Sequence, residues 1–67
     1  MPEVGMLVEV LTFRYEGGAA LEEWVAGIVT YVDQTGLDVR VAGDRESTRL
    51  ARWGEGDTWR RAGKVFA

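Results

Sequence analysis

The sequence predicts an all-β fold, a small antiparallel barrel of five short strands with a 3-10 turn before the last one. The chain has 67 residues, which is enough for one domain with a small core. Short runs of β-branched and aromatic residues alternate with turn-forming segments, and nine glycines are available for those turns. A flat sheet of this length would leave one face exposed to solvent and both edges unpaired, so we expect the strands to curl into a barrel.

The first predicted strand is Met6–Thr12, a run rich in residues that favour β structure. Alternation places Val8 and Val10 on one face, and Glu9, between two leucines, on the other. The segment is therefore expected to present two distinct faces.

The segment Phe13–Glu23 does not continue the strand-forming pattern of the residues before it. The pair Gly17-Gly18 breaks regular structure, and the run Ala19–Glu23 has helix propensity over too few residues to be stable alone. We therefore predict a long loop with room for one helical turn, and we expect Phe13 to cover the core.

The strongest strand signal is Trp24–Val32, which is dense in β-branched and aromatic residues. Gly27 in its interior predicts a bulge, a sharp bend or a close approach of two backbones. Residues Asp33–Gly36 have the composition of a turn. The next strand, Leu37–Ala42, alternates cleanly, which directs Leu37, Val39 and Val41 inward and its two charged side chains outward.

The C-terminal third is predicted to hold two short strands around a turn. A tight connection at Gly43–Glu46 leads into a strand at Ser47–Arg52. The glycines of Trp53–Thr58 favour a single 3-10 turn, and Trp59–Ala62 forms the last strand. The tail, residues 63–67, is expected to fray or to add to an edge.

This pattern resembles the SH3-like small-barrel group, which includes Tudor domains. The likeness covers most of the chain and implies one such domain over residues 1–67. It rests on an opening strand at Gly5–Val10, the strands Trp24–Val32 and Gly36–Val41, the pair Arg49–Leu50 and the turn before Trp59. A fold of this kind does not by itself give a function.

The Tudor resemblance implies one specific kind of site. Tudor-type domains bind methylated Lys or Arg in a cage of aromatic side chains through cation–π attraction. Here such a cage would be drawn from Phe13, Tyr15, Trp24, Tyr31, Trp53 and Trp59. The spacing of these residues does not select which of them converge.

The chain also looks like the plasmid-encoded small-barrel dihydrofolate reductases, in which a Trp-bearing strand similar to Trp24–Tyr31 follows the first loop. That family works as a tetramer around a shared pore lined by a Val-Gln-Ile-Tyr segment. The corresponding stretch here, Ser47–Leu50, differs at every position. We therefore do not expect the reductase activity in this chain.

Composition excludes several classes of chemistry. The sequence has no Cys and no His, so disulfides, thiolate zinc sites, a cysteine nucleophile and the commonest general base are all absent. Gly54 and Gly56 lack the following Lys and the helix of a phosphate-binding loop. One chain of this size cannot enclose a substrate-sized cavity and keep a continuous core. We expect no enzymatic activity, no cofactor, and no catalytic or metal-binding residues.

The net charge of −3 conceals an uneven distribution. The first 39 residues hold seven acidic side chains and one Arg, whereas the remainder is net basic. The charges could pair across strands, or they could give the molecule an anion-facing side. The second case leads to an alternative function, a nucleic-acid-binding or regulatory protein that uses its Arg/Trp-rich C-terminal half. The candidate residues are Arg49, Arg52, Arg60 and Arg61.

The favoured interpretation is a non-enzymatic interaction module that binds a protein segment through an aromatic surface beside an acidic loop. Exposed Trp and Tyr side chains are frequent anchors in interfaces. The candidate protein-binding residues are Tyr15, Trp53 and Trp59 as anchors, and Glu16, Glu22 and Glu23 as charges. A second alternative is a structural subunit of a homo-oligomer or of a larger assembly, such as one encoded by a phage, because association stabilises small domains.

The first residues lack the basic and apolar segments of a secretory signal. The sequence also has no apolar run that approaches the roughly 20 residues needed to cross a bilayer. We therefore expect a cytoplasmic protein with no membrane partner.

Overall fold

A computed structural model describes residues 2–62 of the chain. Within that range the fold is all-β, with five strands and one 3-10 turn, as the sequence predicts. The strands are β1 (Leu7–Glu16), β2 (Ala19–Val32), β3 (Gly36–Val41), β4 (Thr48–Ala51) and β5 (Trp59–Arg61), and the 3-10 turn is Arg52–Gly54. The tail at residues 63–67 lies outside the described residues. No helix in the described part of the chain is long and apolar enough to span a membrane.

The five strands form one antiparallel sheet in the order β4-β3-β2-β1-β5. The first four strands make a meander, and β5 returns to pair with β1. The prediction of a closed barrel is wrong: among residues 2–62 no backbone ladder joins β4 to β5, and the sheet is an open half-barrel. These outermost strands have four and three residues, so each offers only a short edge for pairing.

The inner face of the curled sheet carries the core. Its buried members are Val8, Val10, Val29, Leu37, Val39 and Trp59. The predicted placement of Val8 and Val10 on the same face of the first strand is confirmed, because both are buried in the core. In β3 the alternation is confirmed as well, since its apolar residues turn inward and Arg40 is exposed.

Gly27 allows β2 and β3 to approach each other closely. A Cβ atom at this position would lie 2.6 Å from Cγ1 of Val39 and 3.2 Å from the carbonyl oxygen of Arg40. Of the three alternatives that the sequence leaves open for Gly27, the close approach of two backbones is therefore the one the structure shows. Any larger residue here would push the two central strands apart.

The register of β2 against β3 shifts between Val29 and Tyr31. Beyond the shift, Tyr31 pairs with Asp38, and Val32 pairs with Leu37. An extra residue in one strand changes which side chains face the core. The irregularity thus returns Val32 to the inner face and leaves Tyr31 exposed.

The segment Phe13–Glu23 is not a loop, and that prediction is wrong. β1 and β2 pair without interruption up to Glu16 and Ala19, and Gly17 and Gly18 connect them. Both glycines have positive φ, 58° and 83°, as a two-residue type I′ hairpin turn requires. Cross-strand pairing overrides the local helix propensity of the residues that follow the turn.

We call residues 12–23 the hairpin arm, because here the hairpin extends beyond the rest of the sheet. β5 pairs with β1 at Val8–Val10, and β3 pairs with β2 from Gly27 onward. Every residue from 13 to 22 is exposed. The arm is therefore a two-stranded ribbon in contact with solvent on both faces.

Candidate functional site

The outer face of β1 and β2, which points away from the core, is largely apolar. Side chains alternate between the two faces of a strand, so the neighbours of Val8 and Val10 in β1 fall on this face together with their partners in β2. Its large apolar members are Leu7, Leu11, Phe13, Tyr15, Trp24 and Ile28. We call these six residues the outer stripe.

Three residues of the outer stripe are more than half exposed: Leu7 at 59%, Phe13 at 58% and Tyr15 at 77%. All three come from β1 and lie on one face of it. The prediction that Phe13 covers the core is wrong, because Phe13 lies in the hairpin arm and on the face that points away from the core. Phe13 and Tyr15 are adjacent on this face, and exposed apolar surface of this kind often marks an interaction site.

Arg60 covers Trp24 at the centre of the outer stripe. Its guanidinium carbon lies 4.0 Å from the centroid of the Trp24 ring, a distance suited to a cation–π contact. Its Nε donates a hydrogen bond of 2.7 Å to Oε1 of Glu9, the residue opposite it on β1. The stripe therefore has a covered middle and an open end formed by Phe13 and Tyr15.

The three acids predicted to set the charge of the site do not lie together. Glu22 pairs with Phe13 and shares the outer face. Glu16 and Glu23 point to the opposite face, where Arg14 approaches them at 3.3 Å and 3.6 Å. Of the three, Glu22 is thus the acid placed to meet a ligand of the outer stripe.

The two C-terminal tryptophans have opposite environments. Trp53, in the 3-10 turn, is 84% exposed, whereas Trp59 is fully buried. The prediction that Trp59 is an exposed anchor is wrong, because its ring completes the core beside its β1 partner Val10. Its indole Nε1 also donates a hydrogen bond to the carbonyl oxygen of Ala51.

Trp53 borders a groove of about 590 Å³ between the β2–β3 turn and β5. The groove is lined by Pro2, Gln34, Thr35, Arg52, Trp53, Glu55 and Arg61. It thus gathers Arg52 and Arg61, two of the arginines predicted to bind nucleic acid, beside an exposed indole. Arg61 also donates a hydrogen bond of 2.9 Å to Oε2 of Glu55.

Arg49 takes part in a cluster of charges at the β2–β3 turn. Its Nη2 lies 2.6 Å from Oδ1 of Asp33, and its Nη1 lies 3.2 Å from Oδ1 of Asp38. Asp33 also accepts hydrogen bonds from the backbone N–H groups of Thr35 and Gly36. The bond from Arg49 holds the pKa of Asp33 well below its usual range, and the same contact raises the pKa of Arg49. This cluster stabilises the turn.

The four arginines predicted to bind nucleic acid do not form one basic patch. Arg49 and Arg60 lie on the outer face of different strands, whereas Arg52 and Arg61 border the groove. Arg49, Arg60 and Arg61 each contact an acid from another part of the chain. For Arg49 and Arg60, pairing with acids of the first 39 residues is confirmed, whereas the Glu55 partner of Arg61 lies in the same C-terminal part of the chain.

The sequence identified the three aromatic residues of the outer stripe as candidates but missed its three aliphatic residues, Leu7, Leu11 and Ile28. A signal for it is present in β1. Leu7 and Leu11 flank Glu9 on the face opposite the core valines, so this strand is apolar on both faces. A strand with one solvated face normally alternates apolar and polar residues.

Comparison of the chain with protein-family models, curated proteins and solved structures gives no match. Within residues 2–62, no group of three or more His, Cys, Asp or Glu side chains is arranged to hold a metal ion. The arrangement of the outer stripe, the hairpin arm and the Trp53 groove is suited to contacts with another molecule.

Proposed function

We propose that the chain is a non-enzymatic binding module that takes a protein segment with basic and apolar side chains on the outer stripe. The observation that carries the proposal is the exposure of Leu7, Phe13 and Tyr15 on one face of a single strand. Covering such side chains removes apolar surface from water, which is worth about 25 cal/mol per Å². Aromatic anchors also contribute much of the energy in protein interfaces.

The charge of the hairpin arm favours a basic partner. The arm carries three Glu and one Arg, and Glu22 lies beside Phe13 on the outer face. A Lys or Arg of the partner can meet Glu22 while apolar neighbours of that cation cover Phe13 and Tyr15. Complementary charge of this kind adds specificity and speeds association.

The proposal includes an SH3-like fold class. The strand order, the curl of the sheet and the 3-10 turn before β5 support it. A Tudor-type aromatic cage is not part of the proposal, because Trp59 lies in the core and Arg60 covers Trp24. Phe13 and Tyr15 are neighbours on an open strand face, a geometry suited to an extended segment.

Selection of short random peptides on the immobilised protein tests this function. We expect the enriched peptides to combine Lys or Arg with Val, Ile, Tyr or Trp. They should lose binding to the double variant Phe13→Ser/Tyr15→Ser and to Glu22→Lys. The matched control is Trp53→Ser, which alters an even more exposed aromatic residue outside the outer stripe and should retain binding.

Two results would count against the proposal. One is a selection that enriches acidic peptides. The other is a set of peptides that bind Phe13→Ser/Tyr15→Ser as tightly as the unaltered chain, with both proteins giving the same far-UV circular dichroism spectrum.

A second candidate function is binding of single-stranded nucleic acid in the groove beside Trp53. It is favoured by the position of Arg52 and Arg61 next to an indole that is 84% exposed. Bases stack on exposed aromatic rings, and guanidinium groups contact phosphates. An oligothymidine titration should quench Trp53 fluorescence at low salt and lose affinity as salt rises. Absence of quenching at low salt would exclude this candidate.

A further inference from the structure

Within the described residues 2–62, the backbone of β2 is unpaired on one side throughout the hairpin arm. β1 lies on one side of the strand, but β3 begins to pair on the other side only at Gly27. Among residues 2–62 no strand lies beside Ala19–Val25 on that second side. A free strand edge presents N–H and C=O groups in the spacing that another strand needs.

A hydrogen bond at the end of the arm fixes which groups of β2 point outward. The N–H of Ala42 donates to the carbonyl oxygen of Ala26 at 3.0 Å. The backbone C=O of Ala26 therefore points away from β1. This orientation alternates along a regular antiparallel pair, and the register of β1 against β2 is regular over the whole arm. The N–H and C=O groups of Ala20, Glu22 and Trp24 therefore also point away from β1.

We propose that this edge, residues 20–24 of β2, receives a basic extended segment of a partner protein as an added antiparallel strand. The inference rests on the proposed function and assigns the basic part of the bound segment to the edge of β2, beside the outer stripe that its apolar part covers. Main-chain hydrogen bonds to Ala20, Glu22 and Trp24 supply affinity, and the side chains beside them supply specificity. On the outer face, the added side chains lie next to Glu22 and Trp24, one strand away from Phe13.

Two consecutive acids determine the chemistry of this partner. Glu22 points to the outer face and Glu23 to the inner face, since neighbours in a strand alternate. Two consecutive basic residues in the added strand would place one cation opposite each acid, an arrangement that stabilises cross-strand pairs. A second copy of the chain is a poorer occupant, because antiparallel self-pairing centred on either acid brings like charges directly opposite each other.

The probe for this inference is the capped peptide Val-Tyr-Lys-Lys-Val-Thr, which in antiparallel register lies opposite residues 25 to 20 in that order. In this register the amides of Tyr, the second Lys and Thr face β2. The amides of the first Lys and the second Val face solvent. N-methylation of Tyr and the second Lys removes two donors to β2, and N-methylation of the first Lys and the second Val is the control with identical charge.

We expect the unmethylated and control peptides to bind with similar affinity in calorimetric titration. The peptide that is N-methylated at Tyr and the second Lys should bind at least about tenfold more weakly, because two backbone hydrogen bonds to β2 are lost. On the protein, Glu22→Lys and Glu23→Lys should each weaken binding of the unmethylated peptide. Glu46→Lys makes the same charge change on the exposed β3–β4 connection and should have little effect.

Equal affinity of the two methylated peptides would overturn strand addition and leave the proposed function intact, since side chains alone would then account for binding. No binding of the unmethylated peptide would also overturn it. Self-association of the unaltered chain that the unmethylated peptide displaces would show that a second copy occupies the edge, and would overturn the assignment to a partner protein. The variant Phe13→Ser/Tyr15→Ser tests the outer stripe separately, so failure of the two proposals can be distinguished.

Discussion

The indole Nε1 of Trp59 donates a hydrogen bond of 2.9 Å to the carbonyl oxygen of Ala51. Trp59 is the first residue of β5 and Ala51 is the last residue of β4. These strands occupy opposite ends of the strand order and share no ladder within residues 2–62. The Trp59 side chain therefore makes a polar contact across the open side of the half-barrel, while its ring fills the core.

Replacement of Trp59 is expected to destabilise the fold strongly. Trp59→Phe removes the donor to Ala51 and leaves part of the indole volume empty, which should lower the free energy of unfolding by about 2–3 kcal/mol. Trp53→Phe is the matched control, and because Trp53 is exposed its effect should stay within about 0.5 kcal/mol. Urea denaturation followed by circular dichroism measures both. Similar losses in the two variants would contradict the assigned roles.

The Asp33–Arg49 ion pair is expected to make stability depend on pH in acid. The folded state holds the pKa of Asp33 well below its ordinary value of 3.8. The pair therefore adds to the free energy of unfolding above pH 3.8, and this stabilisation is lost as the pH falls through the folded-state pKa. Asp33→Asn keeps an oxygen acceptor for the turn but carries no charge. The difference in unfolding free energy between the unaltered chain and Asp33→Asn should shrink steadily below about pH 4.

Chemical denaturation at neutral and acid pH measures that difference. A gap between the two proteins that is constant with pH would show that the charge of Asp33 does not contribute.

Gly27→Ala should destabilise the centre of the sheet by about 1–3 kcal/mol, as overpacking does elsewhere. The added methyl group would meet Cγ1 of Val39 at 2.6 Å. Because Val39→Ala removes that atom, the double variant should be more stable than the sum of the two single effects predicts. Thermal or urea unfolding of all four proteins measures the coupling, and strict additivity would argue against a direct contact.

The effect of a substitution at Gly17 in the hairpin turn should depend on how well the new residue tolerates a positive φ. Gly17 has a φ of 58°, which Asn adopts more easily than other non-glycine residues. Gly17→Asn should leave the arm intact, whereas Gly17→Val should cost about 1–2 kcal/mol. The cross-strand NMR contacts between Tyr15 and Ala20 report on the arm directly. Their persistence at full strength in Gly17→Val would contradict the turn assignment.

The positions of the five strands and the faces of β1 and β3 could be predicted from the sequence, because they follow from local alternation of apolar and polar residues. The hairpin arm could not. The residues Ala19–Glu23 have a local preference for helix, and their β conformation depends on pairing with β1. The Gly17-Gly18 pair breaks regular structure in general, and it becomes a hairpin turn when the strands on both sides are in register.

The site was predicted in part. Tyr15, Glu22 and Trp53 are exposed as a binding role requires, but the sequence could not separate Trp53 from Trp59. Both flank the same glycine-rich turn, and the difference between them arises from long-range pairing of Trp59 with Val10. The placement of Glu16 on the face opposite Glu22 likewise depends on strand register, which could not be assigned to a segment predicted as a loop.

β2 continues from the exposed arm into the centre of the core, and this has a consequence for local motion. Leu21 is 42% exposed and Val29 is 1% exposed, although both belong to the same strand. Amide hydrogens exchange with solvent when the bonds that hold them open locally, so among the amides of β2 that point toward β1, protection from exchange should rise from Ala19 to Val29. The half of the strand that we propose as a docking edge is then the half that opens most readily, and an added strand would slow exchange there first.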